Sequence, residues 1–479
     1  NDMPLSQRKT LRGAFCLGCL GVLLAGCAQF PSLDALTGLK PLSDYRAAQA
    51  FSAPAGEWPG ERWWSGYGDR QLDTLIDEAL RDSPDLAAAA ARLRRAEAIS
   101  QIAGAPLAPQ ISANAQFNEQ KLSYNYLTPR QMTPQGWNDY GRITLDFGWE
   151  LDFWGKNRAA LAAAVSQLEA GRAEFAQVRL TLAAAVAMNY AELARLFAVR
   201  ETLARSVEVR RQTVHLFHER FANGLENLGG LNEAKARQAG AEAELLAQEE
   251  EIGLQRYRLA ALLGAGPDRG LSIERPTVRL DGRFGLPETL SADLLGRRPD
   301  IVAARRMVEA QEQRIGQKKA EFYPNINLVA FLGVHSFGLN MLDKSGSSIG
   351  SIGPAISLPI FTGGRLRGEL RASVANYEEA VANYHRALTQ ALQEVASAGL
   401  SQQALAEQLV KGRDAVAAAS EAHRVARNRY EGGLANHLEV LYAEDGLLNS
   451  QRQLALLQSR AFMLDVALKR ALGGGYEQH

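Results

Sequence analysis

The sequence predicts a mainly helical chain built from two homologous halves, each half carrying a pair of alternating strands ahead of a long helical hairpin. The first observation behind this is an internal duplication. Gly155 to Gly264 registers on Gly364 to Gly473 at a constant offset of 209, without a gap. Arg220-Phe221-Ala222-Asn223-Gly224-Leu225 falls on Arg429-Tyr430-Glu431-Gly432-Gly433-Leu434, and Leu263-Gly264 on Leu472-Gly473. Upstream the offset becomes 215, pairing Ser83-Pro84-Asp85-Leu86 with Arg298-Pro299-Asp300-Ile301, so six residues differ between the halves, most simply in a hairpin loop. The second observation is periodicity: four segments alternate with period two, and long proline-free segments repeat with period seven.

Taken in order, residues 1–26 read as a leader. Asn1-Asp2 precede Met3 and are set aside. Arg8, Lys9 and Arg12 are cationic, and Gly13 to Gly26 is apolar but short for a bilayer span. Leu24-Ala25-Gly26-Cys27 resembles the lipobox of bacterial lipoproteins, which implies that Cys27 becomes an acylated N-terminus. Cys16 and Cys19 would leave with the leader, so no thiol or zinc chemistry remains, which suits an oxidising compartment. Without Asp2, Arg8, Lys9 and Arg12 the chain holds 50 basic and 52 acidic residues, a balance that offers nucleic acid no concentrated positive field. Residues 27–62 read as an extended segment without a clear period.

A helix is expected ahead of each strand pair, Leu72 to Ile102 and Asp293 to Gln317, starting near Ser83-Pro84-Asp85 and Arg298-Pro299-Asp300 or slightly earlier. Arg142 to Phe153 places Ile143, Leu145, Phe147, Trp149, Leu151 and Phe153 on one face and Arg142, Thr144, Asp146, Gly148, Glu150 and Asp152 on the other. Aromatic and aliphatic side chains opposite charged ones suit lipid outside and a wet lumen inside, the latter lined by Asp146, Glu150 and Asp152. Gln110 to Asn118, Asn325 to Val334 and Ile352 to Phe361 alternate similarly, the last containing prolines that predict irregular pairing. Four strands cannot close a barrel. They form a soluble sheet, or several copies share one barrel.

Arg158 to about Arg220 reads as one helix, on the order of 90 Å long at 1.5 Å per residue. Leu182, Leu196, Leu203 and Phe217 form one heptad class, and Val186, Leu193, Val207, Val214 and Phe221 another, the signature of supercoiled packing. Asn189, Arg200 and Arg210 interrupt it, which predicts loose packing there. The chain turns at Asn223-Gly224 and returns from about Leu231 to Leu263. The second half repeats this with Arg367 to Arg429, a turn at Gly432-Gly433, and Leu438 to Leu472. A short helix ahead of each strand pair and another after each turn, stacked end to end beside the long ones, would make a helical tube of even thickness. The domain plan is therefore residues 63–270 as a first repeat, 271–287 as a linker and 288–479 as a second repeat.

Specific motifs now carry a resemblance. Trp63-Trp64-Ser65-Gly66-Tyr67-Gly68-Asp69, Trp149-Glu150-Leu151-Asp152-Phe153-Trp154-Gly155-Lys156, Arg297-Arg298-Pro299-Asp300-Ile301, Ala320-Glu321-Phe322-Tyr323-Pro324 and the closing Ala471-Leu472-Gly473-Gly474-Gly475 occur in the order seen in TolC-like outer-membrane channels of tripartite efflux pumps, in their lipoprotein branch. The chain resembles that family over nearly all of its length after the leader. The resemblance implies a homotrimer with a twelve-stranded barrel in outer-membrane lipid above a long periplasmic α-helical barrel. It implies partners in a periplasmic adaptor and an inner-membrane transporter, a role as passive exit duct for drugs or other small toxic solutes, and no cofactor or metal. The helical tips, Arg220, Asn223, Gly224, Arg429, Gly432, Gly433 and Leu434, are expected to face the adaptor. A periplasmic gate is expected at Leu438, Glu439, Tyr442 and Glu233. Relatives often carry an aspartate where this chain has Tyr442, so the carboxylates here are displaced to Glu439 and Glu444.

Other classes fit less well. Seven scattered histidines offer an enzyme little; His215 and His218 share a helix face with Glu219 but read as solvated side chains. Gly363-Gly364 and Gly432-Gly433 lack the Lys-Ser/Thr that follows a phosphate loop. A periplasmic adaptor would have one helical hairpin rather than two. A TolC-like channel for type I protein secretion is the alternative function.

Overall fold

The computed structural model of the protein describes residues 36–47, 49–51, 53–125, 129–280, 285–287 and 290–477. Cys27 and the leader lie outside the described residues. The principal elements are α1 (Arg70–Asp82), α2 (Pro84–Gly104), β1 (Gln110–Gln120), β2 (Asn138–Glu150), α3 (Lys156–Ala222), α4 (Leu228–Leu262) and α5 (Pro267–Leu271), followed by α6 (Leu290–Arg297), α7 (Pro299–Ala320), β3 (Asn325–Phe337), β4 (Ser348–Ser357), α8 (Arg365–Glu431) and α9 (His437–Ala471). The duplication is metric: α3 and α8 have 67 residues each, α4 and α9 have 35 each, and both pairs start at the offset of 209.

The single helix expected before each strand pair is two helices. Proline at the first position of α2 and α7 pushes the residue before it out of the helical region, and Ser83 accordingly adopts φ −64 and ψ 127. The Asp69 carboxylate starts α1 by accepting from the Gln71 and Leu72 amides at 3.0 and 3.4 Å. At the matching break in the second half, the Arg298 side chain is 6% exposed and is held by Asp300 at 2.6 Å, by Glu394 at 2.9 Å and by the Ala471 carbonyl at 3.0 Å.

By contacts the chain forms two compact units. One comprises residues 94–170 and 305–383 and contains an antiparallel sheet of order β1-β2-β3-β4. Its register is unbroken from Gln110↔Gly148 to Gln120↔Asn138, and from Tyr140↔Phe337 to Glu150↔Asn327. The β3–β4 register is equally continuous, through Leu328↔Pro354, which corrects the expected irregular pairing. Pro354 lies on a strand with one free edge, where a missing donor is tolerated.

The other unit, residues 39–93, 171–304 and 384–477, is helical. Its largest core joins Trp63, Trp64 and Tyr67 to Leu72, Leu75, Ile76, Leu182, Val186, Leu193, Leu259 and Phe462. Trp63 meets Trp64 edge to face at 5.6 Å, and Tyr67 meets Phe462 at 4.8 Å. Each such side chain taken fully from water contributes about 1.5–3 kcal/mol, so the Trp63-Trp64 opening is a core element of this unit. The polar interruptions of the heptads are cross-helix ties, which corrects the expected looseness. Gln255 donates to the Asn189 carbonyl and side chain at 2.9 and 3.0 Å, Arg200 pairs with Glu249 at 2.8 Å and Arg210 with Asp445 at 2.9 Å. One window of α3 is apolar enough to cross a membrane by composition, with a mean hydropathy of 1.4, but 56% of it is buried in the protein, as befits a core helix.

Candidate functional site

The sheet has two chemically opposite faces, set by the parity of each strand and brought into line by the register. On one face Ile111, Ala113, Ala115 and Phe117 of β1 lie opposite Phe147, Leu145, Ile143 and Gly141 of β2. Ile143, Leu145, Phe147 and Trp149 lie opposite Val334, Leu332, Ala330 and Leu328 of β3, and Ala330 and Leu328 lie opposite Ile352 and Pro354 of β4. Glu119, Asp139, Ser336 and Ser348 add polar groups toward one end. This apolar face is open: Ile111 is 66%, Leu332 69% and Ile352 78% exposed. The opposite face carries Ser112, Asn114, Gln116, Arg142, Thr144 and Asp146, with Val329, Phe331, Phe337, Ile349 and Ala355 as apolar exceptions. Asp146 accepts hydrogen bonds from Asn114 and Thr144, each at 2.8 Å, and the Arg142 guanidinium lies 5.3 Å from the Phe331 ring centre.

Two of the three expected lumen residues lie on β2. Glu150, at its end, pairs with Lys156 at 2.5 Å. Asp152 falls beyond the strand, which ends at Glu150. Its carboxylate accepts from the Asn157 and Arg158 amides at 3.1 and 2.8 Å, satisfying first-turn donors of α3 that have no helical partner. Asp152 is a helix cap, and its place on a lumen face is withdrawn.

The hairpin tips are built alike. At the end of α3 the Gly224 amide donates to Phe221 O at 3.0 Å and the Leu225 amide to Arg220 O at 2.8 Å, with Gly224 at φ 70. At the end of α8 Gly433 and Leu434 repeat this to Tyr430 and Arg429, with Gly433 at φ 74. These are Schellman closures, in which a left-handed residue lets the last carbonyls find donors. Asn227 and Asn436 then open α4 and α9, accepting from the Gly230 and Glu439 amides at 2.8 and 3.1 Å. The asparagines are a sequence signal the motif reading passed over. The Arg220 guanidinium lies 4.4 Å over the Tyr430 ring, and Arg429 pairs with Glu439 at 3.5 Å, so the two tip arginines are already engaged. Leu225 and Leu434 are 65% and 75% exposed.

Of the expected gate residues, Leu438 and Tyr442 are exposed on α9, and Glu233 pairs with Arg237 at 3.1 Å. Glu444 does not join them. It is buried, accepts from Thr213 at 2.6 Å, and burial raises its pKa above the ordinary carboxylate range despite the Thr213 hydrogen bond and Arg210. The residues that sequence reasoning missed are Arg210, Arg237 and Asp445, where both arginines converge on the one carboxylate beside a cleft of about 260 Å³. Nothing in spacing links positions 210, 237 and 445; only folding brings them together. Among the described residues there is no cluster of three metal-ligating side chains.

Comparison with known proteins follows the same lines. The family described as outer membrane efflux protein matches residues 75–265 and 290–474, one segment per half. Multidrug resistance outer membrane protein MdtP of Escherichia coli strain K12 is 32% identical over 463 residues, covering 95% of this chain and 94% of that protein. Fusaric acid resistance protein FusA of Burkholderia cepacia is 36% identical over 378 residues, 77% of this chain and 71% of the other. The crystal structure of the outer membrane protein VceC from Vibrio cholerae matches with a TM-score of 0.84 at 50% identity, over 88% of this chain and all of that one. The outer-membrane channel OprN matches with a TM-score of 0.83 at 26% identity, over 94% and 99% of the two chains. The fold is the TolC-like one that the sequence motifs resemble. With both halves matched and relatives aligned over nearly the full length, the chain belongs to the outer membrane efflux protein family.

Proposed function

We propose that three copies of this chain close one twelve-stranded barrel and serve as the passive exit duct of a tripartite efflux pump. Membership of the family makes the chain an outer-membrane efflux channel and not an enzyme. The observation that carries the finer reading is the sheet: one face largely apolar across four strands, the other mostly polar, and β1 and β4 each paired on one side only among the described residues. Open edges in a bilayer leave backbone groups unsatisfied, so neighbouring copies must pair them. The resistance to drugs and to fusaric acid named for two relatives supports small toxic solutes over secreted proteins as cargo.

In this scheme Asp146 and Glu150 line the barrel lumen, and Cys27 carries a lipid that adds attachment of about 0.8 kcal/mol per buried CH₂. Residues 63–270 and 288–479 are the two repeats, joined by the linker 271–287. The tips with Arg220, Asn223, Gly224, Arg429, Gly432, Gly433 and Leu434 meet the adaptor, which joins the duct to an inner-membrane transporter. Leu438, Glu439, Tyr442 and Glu233 narrow the passage near those tips. The test is complementation: a strain lacking this channel but retaining its adaptor and transporter is loaded with a fluorescent dye. Expression of the chain is expected to lower dye accumulation severalfold. Unchanged accumulation overturns the reading, and export of an unfolded protein in its place favours the secretion channel.

A further inference from the structure

His437, the first residue of α9, stands between two carboxylates of the other hairpin. Its Nδ1 is 3.8 Å from Glu226 Oε1, and its Nε2 is 3.9 Å from Glu233 Oε2. The imidazole edge rests on Phe217 of α3, ring centres 5.9 Å apart. Glu226 lies in the turn after α3 with its side chain only 7% exposed, and it accepts from the Tyr430 hydroxyl at 2.7 Å and the Asn227 amide at 2.8 Å. Gly230 leaves room for this meeting: a Cβ there would sit 2.9 Å from Glu226 Oε1 and 3.6 Å from the His437 ring. An alanine there would require the Glu226 carboxylate to shift.

We propose that His437 is an acid-strengthened clasp between the two hairpin tips. Protonation converts the imidazole into a cation held between Glu226 and Glu233, tying the turn after α3 and the start of α4 to the start of α9. The proposal rests on the channel reading only for its consequence, that tips tied together resist opening. Glu233 also holds Arg237, which is shared with Asp445; Arg220 lies over Tyr430; and Glu439, on the same helix as His437, is occupied by Arg429. Burial opposes ionisation of Glu226, but the Tyr430 and Asn227 donors, His437 and Arg220 outweigh it and hold its pKa below the ordinary carboxylate range. Glu226 thus stays charged in mild acid, where protonation of the imidazole engages the clasp.

Hydrogen exchange on the lipid-embedded full-length protein tests this directly, with amide protection of residues 223–231 compared at about pH 5.5 and 7.5 after correction for intrinsic exchange. The wild type is expected to gain severalfold protection on acidification. His437→Gln, similar in size and uncharged, should show no gain, and Glu226→Gln should lose most of it. Equal protection of the wild type at both pH values, or a full acid gain in His437→Gln, overturns the clasp. Single-channel conductance of the same samples separates the two claims. A clasp that forms without lowering conductance supports the contact and counts against these tips as the point of opening.

Discussion

Leu438 and Tyr442 are 37% and 68% exposed on the same side of α9, whereas Glu444, two residues further on, is 1% exposed. A step of four residues returns to one helix face, while a step of two points away from it, so Glu444 turned into the bundle when Tyr442 turned out. Three copies of Leu438 and Tyr442 around an axis would form apolar and phenolic rings, with Glu439 adding a negative field that favours cations. Leu438→Ala combined with Tyr442→Ala is expected to raise single-channel conductance in planar bilayers, and Glu439→Gln to lower cation preference. Wild-type values for both would make this face a packing surface and place the constriction elsewhere. Asp152 teaches a related lesson. Alternation put it on a lumen face, but a carboxylate three or four residues ahead of a helix is drawn to the unpaired amides of the first turn.

At the scale of elements, both hairpin turns depend on one left-handed glycine. An L residue with a Cβ costs about 1–2 kcal/mol in that conformation, and a β-branched one is disfavoured further. Gly433→Val is therefore expected to distort the turn that presents Leu434, weakening adaptor crosslinking and dye efflux while the barrel and the assembly persist. Normal crosslinking with this variant would move the docking surface off the second tip. Gly432, by contrast, is not among the positive-φ glycines, so the pair seen in the sequence is one requirement and one bystander. Helix existence and the turn positions were legible because proline-free heptads and Asn-Gly or Gly-Gly breaks are local signals. The helix starts at Pro84 and Pro299 were legible in the prolines themselves, but the separate helices Arg70–Asp82 and Leu290–Arg297 ahead of them were merged into the same helical period.

At the scale of the whole molecule, the edges of β1 and β4, unpaired among the described residues, decide the proposed assembly, because an edge placed in lipid would have no water to satisfy it. Native mass spectrometry in detergent is expected to give three chains per particle, each carrying a diacylglycerol mass that Cys27→Ser removes. A stable lipid-inserted monomer would overturn the shared barrel, and an unmodified wild-type N-terminus would overturn the anchor. The two results are independent, since a barrel that itself crosses the bilayer has no need of the lipid to stay inserted.

By itself the sequence determined the duplication, the helical hairpins, the alternating strands and the family resemblance, since each is expressed in spacing along one stretch of chain. Only the tertiary structure decided the contacts between stretches. Parity gave each strand two faces, but register across β1 to β4 gathered the apolar ones on one side of the sheet. Heptads marked Asn189, Arg200 and Arg210 as interruptions, and packing revealed them as ties to Gln255, Glu249 and Asp445. His437 read as a stray histidine until the fold set it between Glu226 and Glu233, more than two hundred residues away in sequence. The physical reason is the same in each case: periodicity records which way a side chain points from its own backbone, whereas its partner is chosen by which other backbone arrives there.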